Sequence, residues 1–443
     1  MKDIGQGIEW LSVNQPMTLA AIRVLLMVLP ILVIVPGLIW YERRLLSWMQ
    51  DRVGPNRTGT ITLKNGKKIR TFGLLQPIAD GVKLFFKEDI TPATVDRVLY
   101  FISPAIALFP AFAVAGTLPW GPGYGTYGHL TPVWGSEIGV LYMLAISSLG
   151  VYGVVLSGYA SNNKYSLMGG LRGAAQLISY ELAMAMSLAS IILVSGSLKL
   201  TEVVKAQEGQ LWGVVPGIQN WFIFTPFGFL SAVIFLICMV AETNRAPFDL
   251  PEAENEIIAG YHTEFSSMKF AVFFMGEYAM MFIFGGIFGV VFLGGYNMLP
   301  IQWAELAANA PGYSFLHFMR DLNYWMAPLT FLGKCAAGMT FYIWLRATLP
   351  RLRYDQLMAL GWKFLLPAAV ANFIVSASWI MAQKLWGWQG AVGASIGAVL
   401  IAIGLYSAIR KAMNKGTTAM EKRSVELSEG TETIPSIRAV ELV

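Results

Sequence analysis

The stretch Glu242-Thr-Asn-Arg-Ala-Pro-Phe-Asp-Leu-Pro-Glu-Ala-Glu-Asn-Glu256 decides how this chain is read. It lies between two long apolar runs, and the second of these carries Glu277. Glu242, Asp249, Glu252, Glu254, Glu256 and Glu264 face one base, Arg245, before Lys269. Crowded carboxylates repel one another, so some of them hold protons near neutral pH. Pro247 and Pro251 predict an ordered, non-helical entry. Behind Pro251, Glu252 and Glu256 stand four apart, the spacing of one face of a short helix. A charge run is usually a solvated loop. This run abuts apolar spans that hold acids of their own, which favours a working site.

Outward from that stretch the chain is uncharged over long distances. It is 55% hydrophobic and 13% charged, which excludes an ordinary soluble core and predicts an all-α polytopic membrane protein. Nine spans are expected, at about 17–40, 98–118, 138–160, 174–196, 222–241, 268–293, 327–345, 364–383 and 391–409. They form a single membrane domain over 1–411, followed by a polar tail over 412–443, with no internal repeat. Residues 43–97 hold eleven bases, whereas 119–136 hold none. The positive-inside rule then puts the N-terminus outside, and the acidic stretch and the C-terminus in the cytoplasm. The polar start shows no cleavage pattern, so the first span is expected to direct insertion.

Several function classes fall away. Cys238 and Cys335 both sit in apolar runs and support neither a disulfide framework nor a metal centre. His129, His262 and His317 lack ligand spacing. The net charge of +5 comes from bases beside spans, so nucleic acid is not the expected partner. A stand-alone ion transporter would show inverted repeats with broken helices in matching halves, and none is visible.

Two segments before the second span are more than connectors. In Gln50-Asp-Arg-Val-Gly-Pro-Asn-Arg57, Gly54 and Pro55 predict a tight turn that holds Arg52 at the membrane surface. Residues 73–89 place Leu74, Ile78, Leu84 and Phe85 against Asp80, Lys83 and Lys87, an amphipathic helix lying in the interface. Between the two segments, Asn65-Gly66 predicts a small hairpin. Inside the spans, Glu181 stands nine residues beyond Arg172, roughly 13 Å deep, and Glu277 stands eight beyond Lys269, roughly 12 Å. An ionised acid at such depth costs on the order of 3 kcal/mol. Lys334 is a base deep in a span and a candidate relay residue. Arg346, Arg351 and Arg353 read first as positive-inside anchors and second as partners for the acidic loop.

These motifs together resemble the H-type (first mitochondrially encoded) membrane subunit of respiratory complex I, the proton-pumping NADH:quinone oxidoreductase. The resemblance rests on residues 50–56, Gly73-Leu-Leu-Gln-Pro-Ile-Ala-Asp80, residues 241–254, Gly276-Glu-Tyr278 and residues 346–358, and it covers about 17–383. The hairpin near 60–71, the ninth span and the tail depart from the shorter members. The resemblance implies a quinone passage bounded by Glu42, Arg43, Arg52, Asp80, Arg245 and Phe248. It implies proton coupling through Glu181, Glu242, Asp249, Glu252, Glu254 and Glu277. It implies no cofactor on this chain, with quinone as substrate and with flavin and iron–sulfur clusters in partner subunits. The implied partners are the peripheral-arm quinone-site and iron–sulfur subunits, antiporter-like and small membrane subunits, and lipid, all at a bacterial inner membrane. The homologous anchor of a membrane-bound hydrogenase or of a photosynthetic NDH-type complex is the other reading.

Overall fold

The computed structural model describes residues 15–400, apart from 57, 59–60, 63–67, 70–71, 123–129, 132–134, 213–214, 253, 310–313, 388, 391, 394–395 and 398–399. The chain divides into two compact units, Met1–Ala377 and Ser378–Val443. The ninth expected span falls largely outside the described residues, and the tail lies wholly outside them.

The described chain is all-α apart from two small hairpins. Its helices are α1 (Pro16–Met49), α2 (Gln76–Phe86), α3 (Arg97–Ala115), α4 (Gly139–Ser147), α5 (Leu149–Ala160), α6 (Lys164–Ser195), α7 (Leu200–Gln207), α8 (Pro226–Glu242), α9 (Glu254–Ile257), α10 (Ser267–Phe292), α11 (Trp303–Asn309), α12 (Ser314–Trp325), α13 (Ala327–Thr348) and α14 (Tyr354–Ala359). A π-helical stretch, Leu360–Leu365, follows α14. Six stretches are long and apolar enough to cross a membrane: Met17–Met49, Arg97–Ala115, Gly139–Ala160, Lys164–Ser195, Ser267–Phe292 and Tyr354–Gly387. Two further expected spans are helical but fall short of that measure. α8 is only 17 residues long, because Pro226 starts it afresh after Thr225, whose hydroxyl caps the Gly228 N–H at 3.2 Å. α13 has 22 residues, but Lys334 and Arg346 dilute its apolar character.

α1 is 34 residues long. At 1.5 Å per residue it reaches about 50 Å, against a hydrocarbon thickness of about 30 Å. Its last turns, with Glu42 and Arg43, therefore stand at the polar end. The expected third span is broken at Ser148 into α4 and α5. Of the expected hairpin, Ile61 opposes Ile69 and Thr62 opposes Lys68; the Asn65-Gly66 turn lies outside the described residues. A second hairpin, Gln210–Leu211 with Val215–Gln219, was not expected, since Pro216 argues against a strand.

Small residues set the helix spacing, as they do where no hydrophobic force draws helices together in lipid. A Cβ at Gly338 would stand 2.8 Å from Gly285 Cα, so α10 and α13 touch backbone to backbone. The same pair is locked further along by Lys334. Its ammonium donates to the carbonyls of Leu293, Gly295 and Asn297 at 2.5, 2.8 and 2.6 Å, and lies 4.6 Å from the Trp221 ring centre. These carbonyls belong to the cap residue of α10 and the turn just past it, so the ammonium closes that end of the helix. Lys334 thus serves as a cap, and no acid contacts it among the described residues. Lys334→Met should lower stability by about 3 kcal/mol by leaving these acceptors without their charged donor. The readout is the dissociation temperature of the detergent-solubilised assembly; an unchanged temperature would mean that other donors serve those carbonyls.

Candidate functional site

The loop between α8 and α10 is laid across α6. Gly169 and Gly173 of α6 provide the seat: a Cβ at Gly169 would stand 2.8 Å from the Pro251 carbonyl oxygen and from Gly260 Cα. Gln176, one turn on and fully buried, donates to the carbonyls of Ala241 and Phe248, both at 2.7 Å. These bonds fix where α8 ends and where the loop turns, because carbonyls buried there need a donor. The loops after α1, α5, α8 and α13 meet at this one end. Arg43 pairs with Asp80 of α2, Arg172 of α6 with Glu256, and Arg351 with Asp249, each at 2.7 Å.

At the centre is a chain of buried polar groups. Glu42 is 5% exposed. It accepts from the Tyr278 hydroxyl at 2.5 Å and also from Arg346 of α13. The guanidinium of Arg245 lies 4.5 Å from the Tyr278 ring centre and 3.4 Å from Glu277 Oε2. Glu277 Oε1 accepts from the Tyr261 hydroxyl at 3.0 Å. His262 Nε2 is 3.2 Å from Glu252 and 3.8 Å from Glu277. Consecutive residues on a helix point about 100° apart. So α10 turns Tyr278 toward α1 and Glu277 toward the loop, and the adjacent pair bridges the two sides.

The electrostatics follow from burial and from neighbours. Burial, then Glu252, pushes Asp249 up to about 6 against the pull of Arg351. Burial and then Glu277 also raise Glu252. Burial works against the charge on His262, but Glu252 and Glu277 outweigh it and hold the imidazole at about 9. Tyr261 is pushed well above its ordinary range by burial and by Glu277, so it stays a donor. Beyond this network a cavity of about 60 Å³ extends between the helices. Ser147, Glu242, Asn244, Tyr261 and Glu277 line its polar side. At about 15 Å³ per site it has room for roughly four waters. Glu242 is buried at its far wall. Glu181 lies close enough to Glu242 for the two charges to interact.

The sequence-predicted residues are therefore gathered unevenly. Glu42, Arg245, Glu252 and Glu277 belong to one network, with Glu242 in the wall of the adjoining cavity and Glu181 near Glu242. Arg43 and Asp80 form a neighbouring, more exposed pair. Phe248 is buried with its ring 5.6 Å from Tyr180, as packing beneath the loop. Arg52 stays exposed and bonds Gln50 at 2.7 Å. The side chain of Glu254 lies outside the described residues. One expectation is corrected: Glu252 and Glu256 do not share a helix face. Glu252 precedes α9 and turns inward to His262, while Glu256 turns outward to Arg172. Buried His262 and half-buried Arg172 attract the two acids to opposite sides. The structure also adds Tyr261, His262, Tyr278 and Gln176, which sequence reasoning passed over. The cue for His262 was its position among six acids; spacing to the other histidines was the wrong test.

Glu252, His262 and Glu277 bring three donor atoms within 4.8 Å of one another. Arg245 already supplies positive charge 3.4 Å from Glu277, and the imidazole itself holds a proton. The group is an ion-pair network.

Comparison with known proteins agrees on one family. The family model described as NADH dehydrogenase matches residues 22–377. An H-type subunit of NADH-quinone oxidoreductase from Koribacter versatilis is 42% identical over 375 residues, 82% of this chain and 96% of that protein. An H-type subunit of the same enzyme from Geobacter metallireducens is 42% identical over 362 residues, 81% of this chain and 95% of that protein. The H-type subunit from Flavobacterium psychrophilum is 41% identical over 347 residues, 78% of this chain and 92% of that protein.

Proposed function

This chain belongs to the family of H-type subunits of NADH-quinone oxidoreductase, and from that premise we propose that it holds the quinone passage and passes the effect of quinone reduction to a line of protonatable residues. It is a membrane subunit of a multi-subunit oxidoreductase. The observation that carries the proposal is the continuous polar chain from Glu42 through Tyr278, Arg245 and Glu277 to His262 and Glu252, which opens onto the cavity walled by Glu242.

Quinone reduction consumes two protons. If these leave groups beside the Arg43–Asp80 pair and Glu42, the local field changes by whole charges. At an effective dielectric constant of 20, one charge altered at 4 Å is worth about 4 kcal/mol to its neighbour. Arg245 is the lever in this reading, since it stands between Tyr278, which holds Glu42, and Glu277. The freed or taken proton then passes by way of the cavity to Glu242 and Glu181. Nicotinamide, flavin and iron–sulfur clusters belong to partner subunits in this scheme, and quinone is the substrate here. The basic loops that converge on one end support a cytoplasmic position for that end, with the N-terminus outside.

The passage is proposed to run along the polar end of α1, α2 and the loop. A long isoprenoid tail needs an apolar sleeve with polar groups only near the headgroup. Ala79 is exposed on α2 beside Asp80. Ala79→Trp should therefore slow the reduction of long-chain quinone about tenfold and of a short-chain analogue much less. The measurement is NADH oxidation with each acceptor; equal losses would put the obstruction elsewhere and sink this placement.

A further inference from the structure

We infer that His262 is the proton relay between Glu252 on the loop and Glu277 in α10, a role that rests on the coupling reading above and extends it to a residue outside the acidic line. One atom, Nε2, addresses both carboxylates, at 3.2 and 3.8 Å. Glu252 is already at the outer edge of hydrogen-bond distance, and a shift of about 0.6–0.9 Å brings Glu277 there as well. His262 is 4% exposed. Its ring is boxed by Tyr261, Phe270, Phe273 and Phe274, with centroids 3.8, 5.6, 5.0 and 5.9 Å away. Neither ring nitrogen has an aligned hydrogen-bond partner in this arrangement. The imidazole is thus held without being pinned, and the carboxylates are the proton acceptors facing Nε2. That is the setting of a group that moves a proton between two positions, unlike a core histidine satisfied by a carbonyl.

The step balances on protons alone. The resting imidazolium gives Nε2–H to the Glu277 carboxylate, leaving neutral imidazole and a protonated Glu277. Protonated Glu252 then gives its proton to Nε2, leaving a carboxylate and restoring the imidazolium. The aromatic box keeps bulk water from short-circuiting the transfer. The charged and titratable groups around the ring are Glu252, Asp249 and Arg245 from the loop, Tyr261 beside it, and Glu277 from α10. With the imidazole held at about 9, it is charged at neutral pH and loses its charge as pH rises through that value.

The test uses the intact complex in proteoliposomes, comparing NADH oxidation by quinone across pH 7–10 with NADH oxidation by a soluble artificial acceptor. His262→Gln keeps a polar atom near the Nε2 position and cannot titrate. Quinone-dependent turnover should fall by a factor of about 100 at neutral pH, in the range of a lost acid–base group, and become flat between pH 8 and 10. The parent should lose quinone-dependent rate above about pH 9, while the artificial-acceptor rate does not follow the same curve. His262→Asn, with its shorter reach, should be no better than Gln. Parent-like turnover and pH profile in His262→Gln overturn the relay. So does a lowered rate that keeps the parent's alkaline limb, since that is what a packing role gives. If neither variant assembles, the parent profile decides: absence of the alkaline limb overturns the relay. Glu252→Gln and Glu277→Gln run alongside. Their inactivation beside a normal His262→Gln sinks the relay alone, whereas parent-like behaviour of both sinks the coupling reading itself.

Discussion

Glu252→Gln and Glu181→Gln complexes are expected to assemble normally and to lose quinone-dependent turnover and proton-gradient formation together, each by a factor of about 100. Gln preserves the size and much of the hydrogen bonding of Glu but cannot take a proton. Glu252 sits where the loop meets His262, and Glu181 sits past the cavity near Glu242, so the two probe opposite ends of the path. Loss of both activities from both ends requires a shared proton route. The measurement is NADH oxidation by quinone in proteoliposomes with simultaneous detection of the pH gradient. If both variants pump and turn over like the parent, these acids only shape the loop.

Arg245→Met is expected to destabilise the assembly by about 3–5 kcal/mol, the range for breaking a buried ion pair on one side. Arg245 is 8% exposed and lies against both Glu277 and the Tyr278 ring. Its removal leaves Glu277 buried without its guanidinium. Adding Glu277→Gln to Arg245→Met should recover roughly 1–3 kcal/mol, because the stranded charge is gone. Thermal dissociation of the four variants completes the cycle. Strict additivity would show that Arg245 acts through packing and not through Glu277, and would remove it as the lever.

The spans were legible because long uncharged runs have few other readings. The acidic stretch was legible because charge beside such runs is costly. What pairs with what was not. Tyr278 meets Glu42 across 236 positions and Arg346 meets it across 304, and no local pattern encodes a contact of that range. Arg351 was expected to anchor at the membrane and only secondarily to reach the loop, yet it holds Asp249. Lys334 shows the limit differently. A lone base in a span suggests an acid partner, but α10 ends nearby and the carbonyls of the turn that follows satisfy the ammonium. The helix boundary, set by Gly294 and Gly295 in the left-handed conformation, decides that outcome.

The acidic loop is held mainly through its backbone. Gln176 grips two carbonyls, and the glycine floor at 169 and 173 receives Pro251 and Gly260. Architecture and chemistry are thereby assigned to different atoms. Carboxylates on the loop are free to be traded, one for another or for amides, over the same peptide framework. Gly169 has no such freedom, although it carries no charge and lies on another helix. In a hydrogen-exchange experiment, the amides of residues 243–262 should keep their protection in the acid-to-amide variants and lose it in Gly169→Val. The loop's fold can then survive the loss of the chemistry that it carries.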